Sequence, residues 1–371
     1  MEIMKYLDGK NNNMRFPDIF NLKIKAFGLD ISDLALKLVQ LDKKGKSLNI
    51  RCFNEIALPE GIIKRGVILQ PEELVKKLKE LVKKTRGLNA KYVVLSLPEE
   101  RSFLQVISMP KMTEEETKNA VRYEAENYIP FSIDKIYLDS QTISYQEKTQ
   151  EVLLAALPIA TVDPYLEVLN QAGLEPLVLE TESQAIARSL MKGCKCVSPC
   201  LIMDIGAIRT TLIIISGNAP RFSASIPLSA NLFTGAIAKT LKIDMKKAEQ
   251  LKRTCGLKNQ NQKEKEVFDA LIPILTDLME QTKKHIEYYH DYAVSKNFSE
   301  KDITIKRIIV CGGGGNLLLI DKFLQKDFGL PVEIGNPLIN IDFHKDLIPK
   351  DQLLRFAVAM GLAIRGLKEN D

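Results

Sequence analysis

The chain has 371 residues, 45% of them hydrophobic and 27% charged, with a formal net charge of +5. That length and apolar content suffice for one or two buried cores, and a prior of about 150 residues per domain predicts two. The charge is too modest to demand nucleic acid, and no apolar run reaches the roughly 18 to 20 residues of a membrane span, so neither class leads. Six cysteines fit unpaired thiols in a reducing compartment. Cys194, Cys196 and Cys200 invite a metal-cluster reading, but C-x-C-x3-C is not a common zinc spacing.

In chain order, residues 1–22 read as a polar, flexible leader without the apolar core of a secretory signal, and Met14 is an alternative start. Residues 26–41 follow as an apolar strand, Asp30, a short turn and a second strand. Pro71 to Arg86 is a helix with Leu74, Val75, Leu78, Leu81 and Val82 on one face, opened by proline and closed by Gly87. Strands are predicted over 92–97 and 102–108, then a capping box at Thr113–Glu116 opens a helix ending near Tyr128. Strands over 136–144 and 152–157 come next, and Asp163 with Pro164 caps a helix that stops at Gly173. Residues of about 90–176 thus form a compact sheet with helices, inserted into the first half of the fold.

The second half opens on residues 201–215, where Asp204 and Gly206 occupy a sharp turn between two apolar strands. A long helical segment spans 267–296, with Pro273 bending or interrupting it early. Residues 308–320 read as a buried strand, the four-glycine turn Gly312, Gly313, Gly314 and Gly315, and the first turn of a helix. The last core helix ends the chain with no further amphipathic tail.

Asp204 and Gly206 point to anion chemistry. Glycine there admits φ > 0 and close approach to a ligand. Asp204 would hold a hydrated metal ion, and Thr210 and Thr211 would offer hydroxyls to phosphate oxygens. Asp30 sits in an earlier copy of the same pattern, which suggests two similar halves facing one site. Each hairpin taken alone is equally an ordinary polar turn. The glycine turn would bring backbone N–H groups and a helix N-terminus to a ligand. It is not a dinucleotide fingerprint, since Leu317 stands where a third glycine is needed, and it is not a P-loop.

The two hairpins and the glycine turn together resemble the nucleotide-binding core of the actin, sugar kinase and heat-shock chaperone ATPase superfamily. From about Lys23 onward the chain is most similar to the type IV pilus assembly PilM family, a relative of the division protein FtsA. The likeness is carried by residues 114–131 ending in Tyr-Ile-Pro-Phe, by the connecting helix over 179–188 with Glu180 where aspartate is usual, and by the helix pair over 236–252. The fold implied is α/β, an actin-like (ribonuclease H-like) duplicated two-domain fold with an inserted SHS2-type α+β subdomain. Its first core domain would be 23–89 with 177–199, completed by a C-terminal helix over about 345–371. The insertion would be 90–176, and the second domain 200–344 with a helical subdomain over about 235–300.

The resemblance also implies ATP with Mg²⁺, bound with at most slow hydrolysis. Asp204 and Asp30 would each hold the metal through water, with Ser32 and Lys37 on the first phosphate hairpin and Gly206 on the second. Gly312 to Gly315 would pack on the adenosine, Glu280 and Lys284 would contact ribose and base, and Glu182 would orient water around the metal. Ser32 replaces the first hairpin's usual glycine, and Ser229-Ala230 replaces a frequent glycine pair, so phosphate contact is expected to be weakened. The implied partner is the cytoplasmic N-terminal peptide of PilN, an extended apolar peptide suited to a sheet edge or groove, together with other pilus assembly proteins and further copies of the chain. The protein would be cytoplasmic, peripheral to the inner face of the cytoplasmic membrane through its partners, and would not bind nucleic acid. Two alternatives are an FtsA-like division protein that polymerises and a small-molecule kinase. For the kinase, no positioned base accompanies the hairpins, and His285, His290 and His344 are isolated.

Overall fold

The computed structural model describes residues 24–194, 196–217, 219–342 and 347–368, so the expected leader and His344 lie outside the described residues. The chain divides into two compact units, Met1–Cys194 with Pro337–Leu347 and Val358–Asp371, and Lys195–Asn336 with Ile348–Ala357. The first unit opens on β1 (Ala26–Ile31), β2 (Ala35–Lys44) and β3 (Ser47–Ala57), then a two-residue-stranded hairpin, β4 (Ile63–Lys64) and β5 (Val67–Ile68), and helix α1 (Pro71–Lys84). It continues through β6 (Tyr92–Leu97), β7 (Phe103–Pro110), α2 (Glu114–Ala125), β8 (Ile136–Tyr145), β9 (Thr149–Pro158), α3 (Ile159–Gln171), β10 (Glu175–Thr181) and α4 (Glu182–Leu190). The second unit holds β11 (Cys196–Ile205), β12 (Thr210–Gly217), β13 (Ala219–Ile226), α5 (Ala230–Leu241), α6 (Met245–Cys255), α7 (Gln262–Ser295), α8 (Glu300–Ile303), β14 (Arg307–Cys311), α9 (Ile320–Phe328), β15 (Val332–Ile334) and α10 (Lys350–Leu353). The closing helix, α11 (Ala357–Lys368), belongs almost wholly to the first unit.

Both units carry a five-stranded sheet of one topology. In the first the order is β10-β6-β1-β2-β3, and in the second β15-β14-β11-β12-β13. In each, three antiparallel strands form a meander and two further strands add in parallel beside the first of them. Strands β1, β6 and β12 are buried along nearly their whole length, as strands covered on both faces require.

Alternation along β1 decides what covers the first sheet. Phe27, Leu29 and Ile31 face a core built with Leu74, Leu78 and Leu81 of α1 and Val162, Tyr165, Leu166 and Leu169 of α3. Each fully buried leucine contributes about 1.5–3 kcal/mol relative to exposure. Gly28 points the other way, where an added Cβ would lie 2.3 Å from the Ala359 carbonyl oxygen of α11. Gly361 of the same helix is tighter still, since its Cβ would lie 1.8 Å from the Ala185 carbonyl oxygen of α4. Arg188 of α4 fixes this arrangement. It forks onto Glu180 at 2.5 and 2.8 Å and donates to the Gly361 carbonyl at 3.0 Å, with the Glu180 side chain only 2% exposed.

The inserted sheet, β7-β9-β8, is smaller than the 90–176 read from sequence. Tyr92–Leu97 pairs in parallel with both β1 and β10, so it is a central strand of the larger sheet. Helix α3 packs its Val162, Tyr165, Leu166 and Leu169 on the larger core, and it starts at Ile159 rather than at an Asp163 cap. Asp163 lies inside the helix and accepts a hydrogen bond from the Tyr137 hydroxyl at 2.8 Å. What remains inserted is β7 to β9 with α2, whose Thr113–Glu116 capping box is present. Strand β9 serves two cores by its period of two: Val152, Leu154 and Ala156 face α2, and Ala155 and Leu157 face the larger sheet. Helix α7 runs unbroken from Gln262 to Ser295 with Pro273 inside it, so that proline interrupts nothing in its extent.

The α4–α11 contact yields a stability prediction. Gly361→Ala places a methyl group against a backbone carbonyl that cannot rotate away, and the helices must separate, at a cost of about 1–3 kcal/mol or more. Urea unfolding should show a lower midpoint with the slope unchanged, and a wild-type midpoint would contradict the packing described.

Candidate functional site

The site is built first from the β11–β12 turn of the second unit. Asp204 pairs in register with Thr211 across the hairpin and with Cys311 of β14 on its other side, so it stands at the end of the central strand. Its carboxylate is half-buried, and the Cys311 thiol donates to Oδ1 at 3.5 Å. Burial pushes the Cys311 thiol well up, and the Asp204 charge adds to it, so this cysteine stays a protonated donor. Gly206 is a glycine for a reason the sequence did not expose. Its φ is not positive; an added Cβ would lie 2.9 Å from the Arg209 carbonyl oxygen, which itself accepts the Gly206 N–H.

The threonines behave differently from expectation. Thr210 is fully buried and its hydroxyl donates to the Leu228 carbonyl at 2.7 Å. Thr211 is 2% exposed. Neither is turned to solvent, because the first residues of β12 are the point where the hairpin docks on the segment leading into α5. The Gly206 and Ala207 carbonyls accept the Ala230 and Asn231 N–H groups there. Ser229 is the N-cap of α5 in an extended conformation, its Oγ accepting from the Leu232 N–H, so serine satisfies that position without a glycine.

The glycine turn packs directly on this hairpin. Gly312 has φ +75°, and a Cβ on it would lie 2.3 Å from Asp204 Oδ1. A Cβ on Gly314 would lie 2.3 Å from Ile205 Cγ2. Gly313 is half-exposed and Gly315 is buried against Val310 and Leu354. The segment forms a 3₁₀ turn over Gly313–Asn316, and α9 begins only at Ile320 after Leu319 at φ +67°, so no α-helix N-terminus stands at the turn itself.

A charged cluster that sequence reading passed over adjoins the hairpin. Lys252 of α6 donates to the Ala230 carbonyl at 3.1 Å and to Thr234 Oγ1 at 2.8 Å, and pairs with Glu249 at 2.7 Å. Burial lowers the Lys252 pKa, with Glu249 opposing it. Burial pushes Glu249 up, but its bonds from Lys252, Thr234 and Arg253 outweigh this and hold it below the usual carboxylate range. Helix α6 then ends at Gly256, whose Cβ would lie 2.5 Å from that of Leu318, just past the glycine turn. The sequence signal was available: an acid and a lysine three apart on a helix whose lysine falls on the buried face.

Glu280 and Lys284 are exposed on α7, and it is the adjacent Lys283 that pairs, with Asp327 at 2.7 Å. In the first unit, Asp30 and Lys37 face each other across the β1–β2 ladder and form a buried ion pair at 2.7 Å. Ser32 donates its hydroxyl to the Ala35 carbonyl at 2.9 Å, closing the turn. The neighbouring Asp33 accepts the Arg65 and Gly66 N–H groups at 2.6 and 3.1 Å and so holds the β4–β5 turn. Glu182 is the first residue of α4 and is buried, with the Glu99 carboxylate accepting the next N–H, that of Ser183, at 2.9 Å.

Mg²⁺ needs one or two carboxylates and keeps several waters. Asp204, half-exposed beside a cradle that any Cβ would fill, fits such an outer-sphere role. Asp30 fits less well, since Lys37 already neutralises it. Among the described residues no group of three or more His, Cys, Asp or Glu is placed to hold a metal, and no helix is long and apolar enough to cross a membrane.

The family model described as type IV pilus assembly protein PilM matches residues 28–367. Among solved structures, the chain is 30% identical to that of a PilM–PilN type IV pilus biogenesis complex, with 93% of this chain and 99% of that one covered and a TM-score of 0.76. MreB5 of Spiroplasma citri bound to ADP is 17% identical, with 94% and 97% covered and a TM-score of 0.55, and shares the fold alone. Cell division protein FtsA of Borreliella burgdorferi is 26% identical over 177 residues, 44% of this chain and 42% of that protein, so the match spans less than half of that relative. The fold is thus the actin-like, duplicated α/β fold with an inserted α+β subdomain. With a family match running almost from end to end and a structural likeness covering nearly all of both chains, this protein belongs to the type IV pilus assembly protein PilM family.

Proposed function

We propose that this protein is a cytoplasmic, nucleotide-binding scaffold of the type IV pilus inner-membrane assembly complex. The observation that carries the reading is the 30% identity, over 99% of the other chain, to the structure solved as a PilM–PilN complex. The nucleotide is ATP with Mg²⁺. Asp204 holds the hydrated ion, the Gly206 turn meets phosphate, and the turn from Gly312 to Gly315 lies against the adenosine. Glu249, half-exposed in its pair with the buried Lys252, supports a ribose contact from α6 beside that hairpin in preference to Glu280 and Lys284 on α7. Turnover is at most slow, because the Thr210 hydroxyl is committed to Leu228 and Asp30 to Lys37. Bound nucleotide acts on a partner only through a difference in affinity between two conformations.

The partner is the cytoplasmic N-terminal peptide of PilN, which brings the protein to the inner face of the membrane. It docks on the inserted subdomain, where Tyr123, Phe131 and Tyr145 are 77%, 44% and 62% exposed. Aromatic side chains left in solvent at a small sheet-and-helix module are suitable anchors for an extended apolar peptide. Other pilus assembly proteins and further copies of the chain would join the same complex. The division-protein alternative rests on a match to less than half of FtsA and is the weaker reading.

Two measurements test this. Thermal unfolding with Mg²⁺ should rise by a few degrees with ATP at a hundredfold excess over Kd, about 2.7 kcal/mol, and the rise should vanish in Asp204→Ala while the unliganded midpoint stays. An equal shift in the variant would remove Asp204 from the site, and no shift in either protein at millimolar ATP would remove the nucleotide. In fluorescence anisotropy with a labelled PilN N-terminal peptide, at least one of Tyr123→Ala, Phe131→Ala and Tyr145→Ala should weaken binding about tenfold, or 1.4 kcal/mol, without changing thermal stability. Wild-type affinity in all three would move the peptide off this subdomain.

A further inference from the structure

Two cysteines at the start of β11 lie together although the strand's geometry should separate them. A regular strand advances about 3.3 Å per residue, so residues four apart stand about 13 Å from one another. Here Cys196 Sγ and Cys200 Sγ are 3.2 Å apart. The register explains it. Cys196 pairs with Gly217 and Cys200 with Ile215, so four steps on β11 face two on β12 and the surplus chain bulges. The bulge is anchored, because the Pro199 carbonyl accepts the Lys306 N–H at 2.9 Å and Cys200 pairs with Arg307 at the start of β14.

We propose that Cys196 and Cys200 are a peroxide-responsive dithiol, in which hydrogen peroxide oxidises Cys196 and Cys200 closes on it to give a reversible disulfide within β11. The surroundings divide the roles. Cys196 donates to the Ser198 carbonyl at 2.7 Å and lies against Cys200 Sγ, and the interaction with Cys200 and, against burial, the charge of Arg307 bring the Cys196 thiol down to about 7. Arg307 is itself held by Glu333 at 2.8 Å. The bond to Cys196, burial and the Cys196 charge push Cys200 up, so it stays protonated. Cys52, by contrast, is pushed up to about 11 by burial, and Cys311 is likewise raised. Nucleophilic thiolate is therefore available at Cys196, beside a resolving thiol. Cys196 is 3% exposed, which suits an oxidant little larger than water.

The chemistry balances with one peroxide. The Cys196 thiolate attacks one peroxide oxygen, the S–O bond forms as the O–O bond breaks, and hydroxide leaves to be protonated to water. The Cys200 sulfur then attacks the resulting sulfenic acid, the S–S bond forms, and the departing hydroxide takes the Cys200 proton as a second water. Two electrons pass from the two thiols to the peroxide. Closure needs the sulfurs to move from 3.2 Å to about 2.05 Å, a shift of about 1 Å. The bridge would make covalent a bulge that ties the start of β11 to β14, on the strand whose other end carries Asp204.

The test is oxidation of the reduced, full-length protein with equimolar hydrogen peroxide. The intact mass should fall by about 2 Da with loss of two titratable thiols, peptide mapping should join Cys196 to Cys200, and a dithiol reductant should restore both. Cys200→Ser should stop at a Cys196 sulfenic acid that dimedone traps, and Cys196→Ser should keep its remaining thiols. Retention of all thiols in the wild type would overturn the proposal. So would a bridge that maps to Cys194, or Cys196 running on to sulfinic acid without a bridge. The wild-type mapping decides the matter even if a variant fails to fold.

Discussion

The second unit depends on a backbone contact that only glycine permits. Parallel pairing of Asp204 with Cys311 brings the ends of β11 and β14 level, and the chain leaving β14 must then cross the hairpin it has just paired with. A Cβ at Gly312 or at Gly314 would lie 2.3 Å from Asp204 or Ile205, far inside any tolerable approach. Removing those side chains lets the turn sit on the hairpin, and this places the Asp204 carboxylate and the half-exposed Gly313 backbone in one region. Gly256 then brings the end of α6 onto Leu318. Three segments far apart in sequence converge where glycines let the backbone approach Asp204, Ile205 and Leu318 more closely than any side chain would allow.

The first unit uses the same device for a different purpose. Gly28 and Gly361 let α11 approach β1 and α4 at backbone distance, and the Arg188–Glu180 fork is buried beside that crossing. A buried pair of this kind adds little net stability over apolar residues of the same shape, but losing one partner strands the other, at about 3–5 kcal/mol. It therefore acts mainly to select one seating of the terminal helix. Gly361 reinforces that choice by accepting from Arg188 through its carbonyl at the position where the helices are closest.

Much of this was legible in the amino-acid sequence, and the failures have identifiable causes. Helix α1 announces itself by leucines spaced three and four apart, and α2 by its capping box. Strand β6 was read correctly as a strand but given to the wrong sheet, because periodicity specifies a strand's faces and not its neighbours. Asp163-Pro164 looks like a helix start, yet the buried spacing from Val162 to Leu169 carries the helix back to Ile159. A hydroxyl after a turn aspartate is chemically apt for phosphate, but β12 is buried on both faces and Thr210 docks on the Leu228 carbonyl, which periodicity does not reveal. Glu249 and Lys252 were passed over because a helix-surface charge pair is usually solvated, and only tertiary packing shows that this lysine is 9% exposed. The Cys196–Cys200 contact was invisible for a similar reason, since it exists only by virtue of a bulge.

The duplicated fold places an aspartate on the corresponding hairpin of each unit, yet the two are not chemically equivalent. Asp30 is 3% exposed and directly opposite Lys37 in the ladder, so its charge is balanced by its own unit. A divalent ion approaching it would have to share that carboxylate with an ammonium 2.7 Å away, and the mutual repulsion of the two cations opposes this wherever solvent is excluded. Asp204 accepts from the Cys311 thiol at 3.5 Å and is half-exposed. Sequence similarity between the hairpins therefore reflects their shared strand–turn–strand geometry, while the residue across the ladder differs, lysine opposite Asp30 and threonine opposite Asp204. The two hairpins thus share a geometry but not a charge, because Asp30 is neutralised within its own unit by Lys37.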